Sequence, residues 1–501
     1  MKEVAKRIGK ALEEGVRKYE FKPLELEVGT VQSINEDIVL ISGISKAKYY
    51  EVVNFEDGSK GIVIDLDQNT VGAFLLEKRG KIKVGISVYR TGKVASIPVS
   101  EEVIGRMINP LGEPLDGKPP YKALKSYPVE REAPSLFKRD FVREQLYTGI
   151  KVIDTMFPIG KGQRELILGD PSTGKTSIAV DTILNQKDKN VICIYVAIGQ
   201  RKQSILDVYS IFEKHGALSY SVIVAASSED TPGLQFLAPY SATAIAEYFL
   251  DRGKDVLIVY DDLTKHAFAY QSLSLLLKRP PGREAFPGDI FYIHSRLLER
   301  ACKIKNGGSI TALPIVETQA GRIEAYIPTN LISITDGQIY LDINLFNANQ
   351  RPAVDVGKSV SRIGGKTQIP ALKEVVEFLR LYYAQFLELE IFTKLGVKVF
   401  GEGEKILERG KRLRELLKQP RFKHYQVEEQ VVIFFLLNEG FFDGVNEKEV
   451  NKVADAIIEK IKEREPLILN EIKKTKVLTE NLKRKIRNFV EVYYENYNKA
   501  D

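Results

Sequence analysis

Tryptophan is absent from this chain of 501 residues, and only two cysteines occur, Cys193 and Cys302. Two thiols in apolar or mixed surroundings cannot build a disulfide framework, which fits a reducing compartment. No run of about 18 apolar residues occurs, and the first twenty residues lack the apolar core of a secretory signal. The expectation is a soluble protein that reaches a membrane only by docking on a larger complex. Charge of one sign is scarce too: 73 Lys plus Arg face 67 Asp plus Glu, a net +6. So thin and evenly spread an excess argues against nucleic acid as the main partner. Internal repeats and low-complexity linkers are missing. The length leaves room for two to four domains with sizeable cores.

Along the chain the hydrophobic period changes three times. Val4, Ile8, Leu12 and Val16 recur at helical spacing, which predicts an amphipathic helix over 1–23 that packs on its own domain or docks on another subunit. From Leu24 the period becomes two: Leu24, Leu26 and Val28 alternate with glutamates, and Ile62, Ile64 and Leu66 alternate after a turn at Asp57-Gly58. Short strands with turn signals predict a small β-barrel over 24–92. Residues 93–370 alternate helical stretches with unbroken apolar runs at 191–198, 221–226 and 255–260. Such runs are strands buried on both faces of a parallel sheet, hence an α/β domain. Beyond 371, as in 371–392 and 455–465, charged amphipathic segments predict a helical C-terminal domain to 501. The basic cluster Lys473, Lys474, Lys476, Lys483, Arg484, Lys485 and Arg487, interrupted by acids, reads as a solvated helix face.

Chemistry enters at GDPSTGKT, Gly169 to Thr176, between an apolar strand and a helix. Strand, Gly-rich loop and helix N-terminus together make a phosphate-binding loop. Asp170, Ser172, Thr173 and Gly174 would present backbone N–H groups to a polyphosphate, while Pro171, also part of the loop, removes one such donor. Lys175 would reach β/γ oxygens, Thr176 would ligate Mg²⁺, and Ser177 opens the helix. The strand VLIVYDD ends in Asp261, suited to the second shell of Mg²⁺, and Asp262, suited to a helix N-cap. Another strand ends in Gln200, an amide that cannot act as a base toward water. Arg362, in SVSRIGG, sits on a small-residue loop of the kind that carries an arginine finger. The segment 279–289, RPPGREAFPGD, reads as a stiff interface loop.

GKGQRELILGD (160–170), CIYVAIGQ (193–200), LAPYSATAIAEYF (237–249), YDDLTK (260–265), SLLLKRPPGREAFPGD (274–289), IPTNLISITDGQIYL (327–341) and SVSRIGG occur in one order. By these strings the chain resembles the alpha subunits of F-type ATP synthase heads. The resemblance implies a β-barrel, a central RecA-like P-loop nucleotide-binding domain and a C-terminal helical bundle. It implies Mg-ATP or Mg-ADP bound without turnover, with which Gln200 agrees. It also implies an alternating 3:3 ring with catalytic beta subunits, a gamma-like central stalk, a delta-like peripheral-stalk contact at the first helix, and proton-coupled work at the cytoplasmic face of a bacterial membrane. Arg362 then matches the finger serving a neighbouring beta subunit and Ser333 another residue facing that site. Arg351, Pro352 and Gln419 match the adenine pocket. Three places depart from the family: Pro171-Ser172 replaces Arg-Gln, Arg421 replaces a second adenine-side glutamine, and the usually acidic loop after Thr393 reads KLGVKVFGEGEK. Those departures leave room for an alpha-like paralogue in a specialised motor complex such as gliding machinery. A self-sufficient export-type hexameric ATPase conflicts with Gln200, and an RNA-translocating ring lacks an aromatic single-strand platform.

Overall fold

The computed structural model describes residues 27–497, with side chains to residue 492. The segment 1–23, expected as an amphipathic helix with a stalk contact, lies outside the described residues, as do Leu24 and Leu26. The chain divides into two compact units that meet at Val94 and Ala95.

The first unit is a closed six-stranded barrel. Its strands are β1 (Val28–Asn35), β2 (Ile38–Ser42), β3 (Glu51–Phe55), β4 (Lys60–Leu66), β5 (Val71–Glu77) and β6 (Ser87–Val94), joined in the order β1-β2-β5-β4-β3-β6. Val31, Val39, Ile41, Val53, Val63, Ala73, Leu75 and Val88 fill its interior. Closure removes every free strand edge. The alternation expected from sequence is corrected in phase: Val28 faces out at 56% exposure, while Gly29 and Val31 face in. In β4, Gly61, Ile62, Val63 and Ile64 are all buried, and Leu66 is the exposed one. Residues on both faces of this strand are buried, so period two fails there. Arg90 grips Glu51 through two hydrogen bonds of 3.0 and 2.9 Å, leaving that buried carboxylate compensated.

The second unit holds a ribbon, β7 (Ser96–Val99) with β9 (Lys125–Pro128), and an eight-stranded sheet. The sheet runs β16-β15-β10-β14-β13-β11-β12-β8. Its strands are β8 (Met107–Ile108), β10 (Leu166–Gly169), β11 (Val191–Gln200), β12 (Ser221–Ser227), β13 (Asp255–Asp261), β14 (Ser309–Glu317), β15 (Gly337–Leu341) and β16 (Val360–Ser361). All pairings are parallel except β15 with β16. The unbroken apolar runs occupy the centre because helices cover both faces. The helix Pro232–Leu250, buried at nearly every position, packs on β11, β12 and β13. Thr231 caps it by accepting from the Leu234 N–H, with proline at the first helical position.

From Pro370 onward the chain is helical. Helices Glu402–Leu417, Val427–Asn438, Val450–Arg464 and Pro466–Thr475 pack around Leu413, Val431, Phe434, Ile457 and Ile461. The basic cluster is corrected from one helix face to two helices, Pro466–Thr475 and Glu480–Tyr497, which break at Lys476 with φ of 59°. Lys483 pairs with Glu374 and Glu480, and Arg487 with Glu439, while the remaining members are exposed. The bundle is stitched to the nucleotide domain by amides. Gln430 Nε2 donates to Asp154 at 2.9 Å, Gln419 Oε1 accepts from the Lys151 N–H at 3.0 Å, and Gln419 Nε2 donates to the Gly149 carbonyl at 2.8 Å. These ties bring segment 418–425 over the phosphate loop.

Candidate nucleotide site

β10 delivers the chain to the C-terminal edge of the sheet, where open α/β folds bind ligands. Gly169 is required by close approach: a Cβ there would lie 2.6 Å from the Leu341 carbonyl oxygen. The loop then turns through Gly174, at φ of 99°, into the helix Lys175–Leu184. The departing pair Pro171-Ser172 forms the exposed tip of the loop, with Ser172 left-handed at φ of 65°. Lys175 Nζ folds back onto the carbonyls of Gly169 and Asp170 at 2.9 and 2.8 Å, and burial pushes its pKa down. An ammonium held by two backbone carbonyls is ready to exchange them for phosphate oxygens.

Thr176 Oγ1 donates to Asp261 Oδ2 at 2.7 Å, so the hydroxyl opening the helix and the acid ending β13 are adjacent. Tyr195 donates to the same oxygen at 2.7 Å, and Gln200 Nε2 donates to Asp261 Oδ1 at 3.0 Å. Gln200 Oε1 in turn accepts from Lys265 Nζ at 2.9 Å. Burial raises the Asp261 carboxyl, against the lowering by Thr176 and Tyr195. Its neighbour Asp262 is pushed up to about 7, by burial first and then by the charge of Asp261. Asp262 caps the helix Leu263–Leu276 through the Lys265 N–H. A hydroxyl beside a buried carboxylate suits Mg²⁺, which takes one or two protein groups and completes its shell with phosphate and water. Among the described residues no group of three or more His, Cys, Asp or Glu could hold a metal by itself.

A cavity of about 620 Å³ opens from the loop. Thr173, Gly174 and Ser177 line one end, and Phe346, Arg351, Pro352, Gln419 and Arg421 line the other. Arg351, Pro352 and Gln419 therefore stand on the same cavity as the phosphate loop. The Asp170 carboxylate turns away, accepting from Thr318 Oγ1 at 2.6 Å and from the Gly321 N–H at 2.9 Å. Only its backbone remains for a ligand, and the side chain ties the loop to the turn after β14. Ser333 and Arg362 do not line this cavity. Both are exposed beside the sheet edge, Arg362 donating to the Ile332 carbonyl at 3.2 Å and Ser333 to that of Thr329 at 3.0 Å. Sequence reasoning missed Tyr195, Lys265 and Thr318. Lys265 is four residues beyond Asp261 on a capped helix and was legible, whereas Tyr195 is tied to Asp261 by sheet register alone.

Under the cavity lies Lys151, 1% exposed, its Nζ 3.0 Å from Asn451 Oδ1 and 4.3 Å above the Tyr425 ring. Burial lowers its pKa to about 7 from 10.5, against the raising by Asp455. Between those values the unfolded chain holds a proton that the folded chain sheds, so stability rises with pH across that window. The penalty is fully present below pH 7. Denaturant unfolding should therefore show wild type gaining about 2–4 kcal/mol on Lys151→Met between pH 7 and pH 10. Parallel curves would mean that the lysine is solvated.

The beta-barrel domain of the ATP synthase alpha/beta family matches residues 27–92, its nucleotide-binding domain 149–361 and its C-terminal domain 368–493. Over 493 residues the chain is 47% identical to the ATP synthase subunit alpha of Caldanaerobacter subterraneus, covering 98% of this chain and 97% of that protein. The chain belongs to the ATP synthase alpha-subunit family. The subunit alpha of Clostridium botulinum is 48% identical over 474 residues, 94% of each chain, and that of Helicobacter pylori 47% over 493, 98% of each. This alpha-family chain thus carries its domains in the order expected from sequence: barrel, nucleotide-binding α/β domain and helical domain. Among its described residues no helix is long and apolar enough to cross a membrane.

Proposed function

We propose that the chain is the non-catalytic, Mg-ATP-binding alpha subunit of a bacterial F-type rotary ATP synthase head. In this reading it alternates with beta subunits in a 3:3 ring around a gamma-like stalk, contacts a delta-like subunit and meets the membrane only through the complex, at its cytoplasmic face. It binds no nucleic acid. Family membership supports the complex, and one observation carries the non-catalytic role. The residue that ends β11 beside the Thr176–Asp261 pair is Gln200, its amide held between Asp261 and Lys265. An amide in that place orients but cannot take a proton from water.

The roles within the site follow. Backbone N–H groups of Asp170 and of residues 172–174, together with Lys175, would hold the β and γ phosphates, while Thr176 and, through it, Asp261 would hold Mg²⁺, which would supply charge neutralisation. Arg351, Pro352 and Gln419 border the adenine. ADP fits the same contacts less one phosphate. Arg362 and Ser333 face the partner's catalytic site instead of this one.

The test is Mg-ATP binding and hydrolysis by the purified chain, alone and mixed with its beta partner. Binding without turnover alone, and turnover on mixing, is expected. Lys175→Met should weaken binding about 10–100-fold, the worth of one charge-assisted contact. Strong hydrolysis by the isolated chain would overturn the non-catalytic role.

A further inference from the structure

Away from the phosphate loop, the cavity is furnished mainly with hydrogen-bond donors. The guanidinium of Arg351 lies 4.5 Å from the centre of the Phe346 ring, and that of Arg421 lies 4.5 Å from the centre of Phe422. Among the described residues neither side chain donates to a protein acceptor or pairs with a carboxylate. The Arg421 platform is fixed: Phe422 stacks on His215 with centroids 5.0 Å apart, and its N–H donates to Asp181 at 3.2 Å. Acceptors here are largely spent. Asp455 takes Lys423 and the Tyr425 hydroxyl, and Lys418 is paired with Glu415. Gln419 uses both N–H groups on the carbonyls of Gly149 and Lys423, and its oxygen already accepts from the Lys151 N–H.

With phosphates on Gly174 and Lys175, the base must lie at this end. An unspent guanidinium fork matches two neighbouring acceptors, the O6/N7 edge of a 6-oxopurine. Adenine presents a donor, its 6-amino group, in place of O6. We infer that this site accepts 6-oxopurine nucleoside triphosphates beside ATP, and that Arg421 is the residue that sets the base preference. The inference rests on the nucleotide-binding reading above. Stacking on Phe422 fixes the plane of the fork in advance, which lowers the entropy lost on binding.

Titration calorimetry of the full chain with Mg-ATP, Mg-GTP and Mg-ITP tests it. GTP and ITP are expected to bind within about tenfold of ATP, ITP following GTP because it carries O6 and N7 without the 2-amino group. Arg421→Gln should shift the ATP-to-GTP affinity ratio toward ATP about tenfold, within the worth of one bidentate base contact. Arg421→Lys, which keeps a donor for O6 and N7 but loses the planar fork, should shift the ratio less than the glutamine variant, with thermal unfolding of both unchanged. An unaltered ratio in Arg421→Gln, or an equal fall for all three nucleotides, would overturn the base-reading role. ATP bound and both 6-oxopurines rejected by wild type would overturn this inference and leave the nucleotide site standing. Failure of all three to bind wild type would overturn the site itself.

Discussion

Arg362→Ala in the assembled complex should reduce ATP turnover by about 10³–10⁵, the range set by arginine fingers acting on a transferring phosphoryl group. Mg-ATP affinity of the isolated chain should stay unchanged, because Arg362 lies outside the cavity that begins at the phosphate loop. The structure supports reach in trans. Arg362 follows β16, the edge strand of the sheet, and among the described residues its guanidinium makes one hydrogen bond, to the Ile332 carbonyl at 3.2 Å. Its backbone is anchored: the Arg362 N–H donates to the Asp336 carbonyl at 2.9 Å, and Ser361 Oγ donates to the Pro158 carbonyl at 2.9 Å. Asp336 is itself gripped by Arg164, which donates to its two carboxylate oxygens at 3.1 and 2.9 Å. A rigid base under a free head suits a group that must meet charge as it develops. Steady-state hydrolysis by the mixed complex is the measurement, and turnover within about threefold of wild type would remove the finger role.

Arg300→Met should destabilise the chain by about 3–5 kcal/mol, the usual effect of removing one partner of a buried ion pair. Arg300 is fully buried and holds Glu247 by two hydrogen bonds of 2.8 and 2.9 Å, while a third, 2.7 Å long, goes to the Val129 carbonyl. The change leaves a buried carboxylate whose next cation, Arg131, stands 3.8 Å away on a half-exposed side chain. Replacing both partners, Arg300→Met with Glu247→Leu, should recover most of the loss, since apolar groups need no compensation. Urea unfolding of the three proteins gives the comparison. A single variant within about 1 kcal/mol of wild type would show that water reaches the carboxylate.

Much of the nucleotide site was legible because a phosphate loop is local. Gly169, Gly174, Lys175 and Thr176 are fixed by one strand, one turn and one helix start, and the chemistry of each follows from spacing. Asp261 and Gln200 were legible as residues ending buried strands, since sheet sites gather at strand ends. Their mutual contact was not, because it depends on the parallel register that sets Ala197 opposite Asp261. The tie made by the Asp170 side chain was hidden for a similar reason. Its carboxylate is claimed by Thr318 and Gly321, about 150 residues later in the chain.

Local patterning also fell short where burial is two-sided. The β4 residues Gly61 to Ile64 gave no reliable phase, and the basic cluster spans a helix break at Lys476 that charge alone does not mark. Sequence by itself determined the three domain types, the phosphate loop and the membership carried by ordered family strings, because periodicity and loop chemistry are short-range. Tertiary structure alone decided that segment 418–425, the connection between two C-terminal helices, borders the cavity opened by the loop, that Arg421 and Arg351 lie over aromatic rings beside it, and that Arg362 stands away from it. Those facts are distances between residues far apart in sequence, and only packing of one element on another sets them.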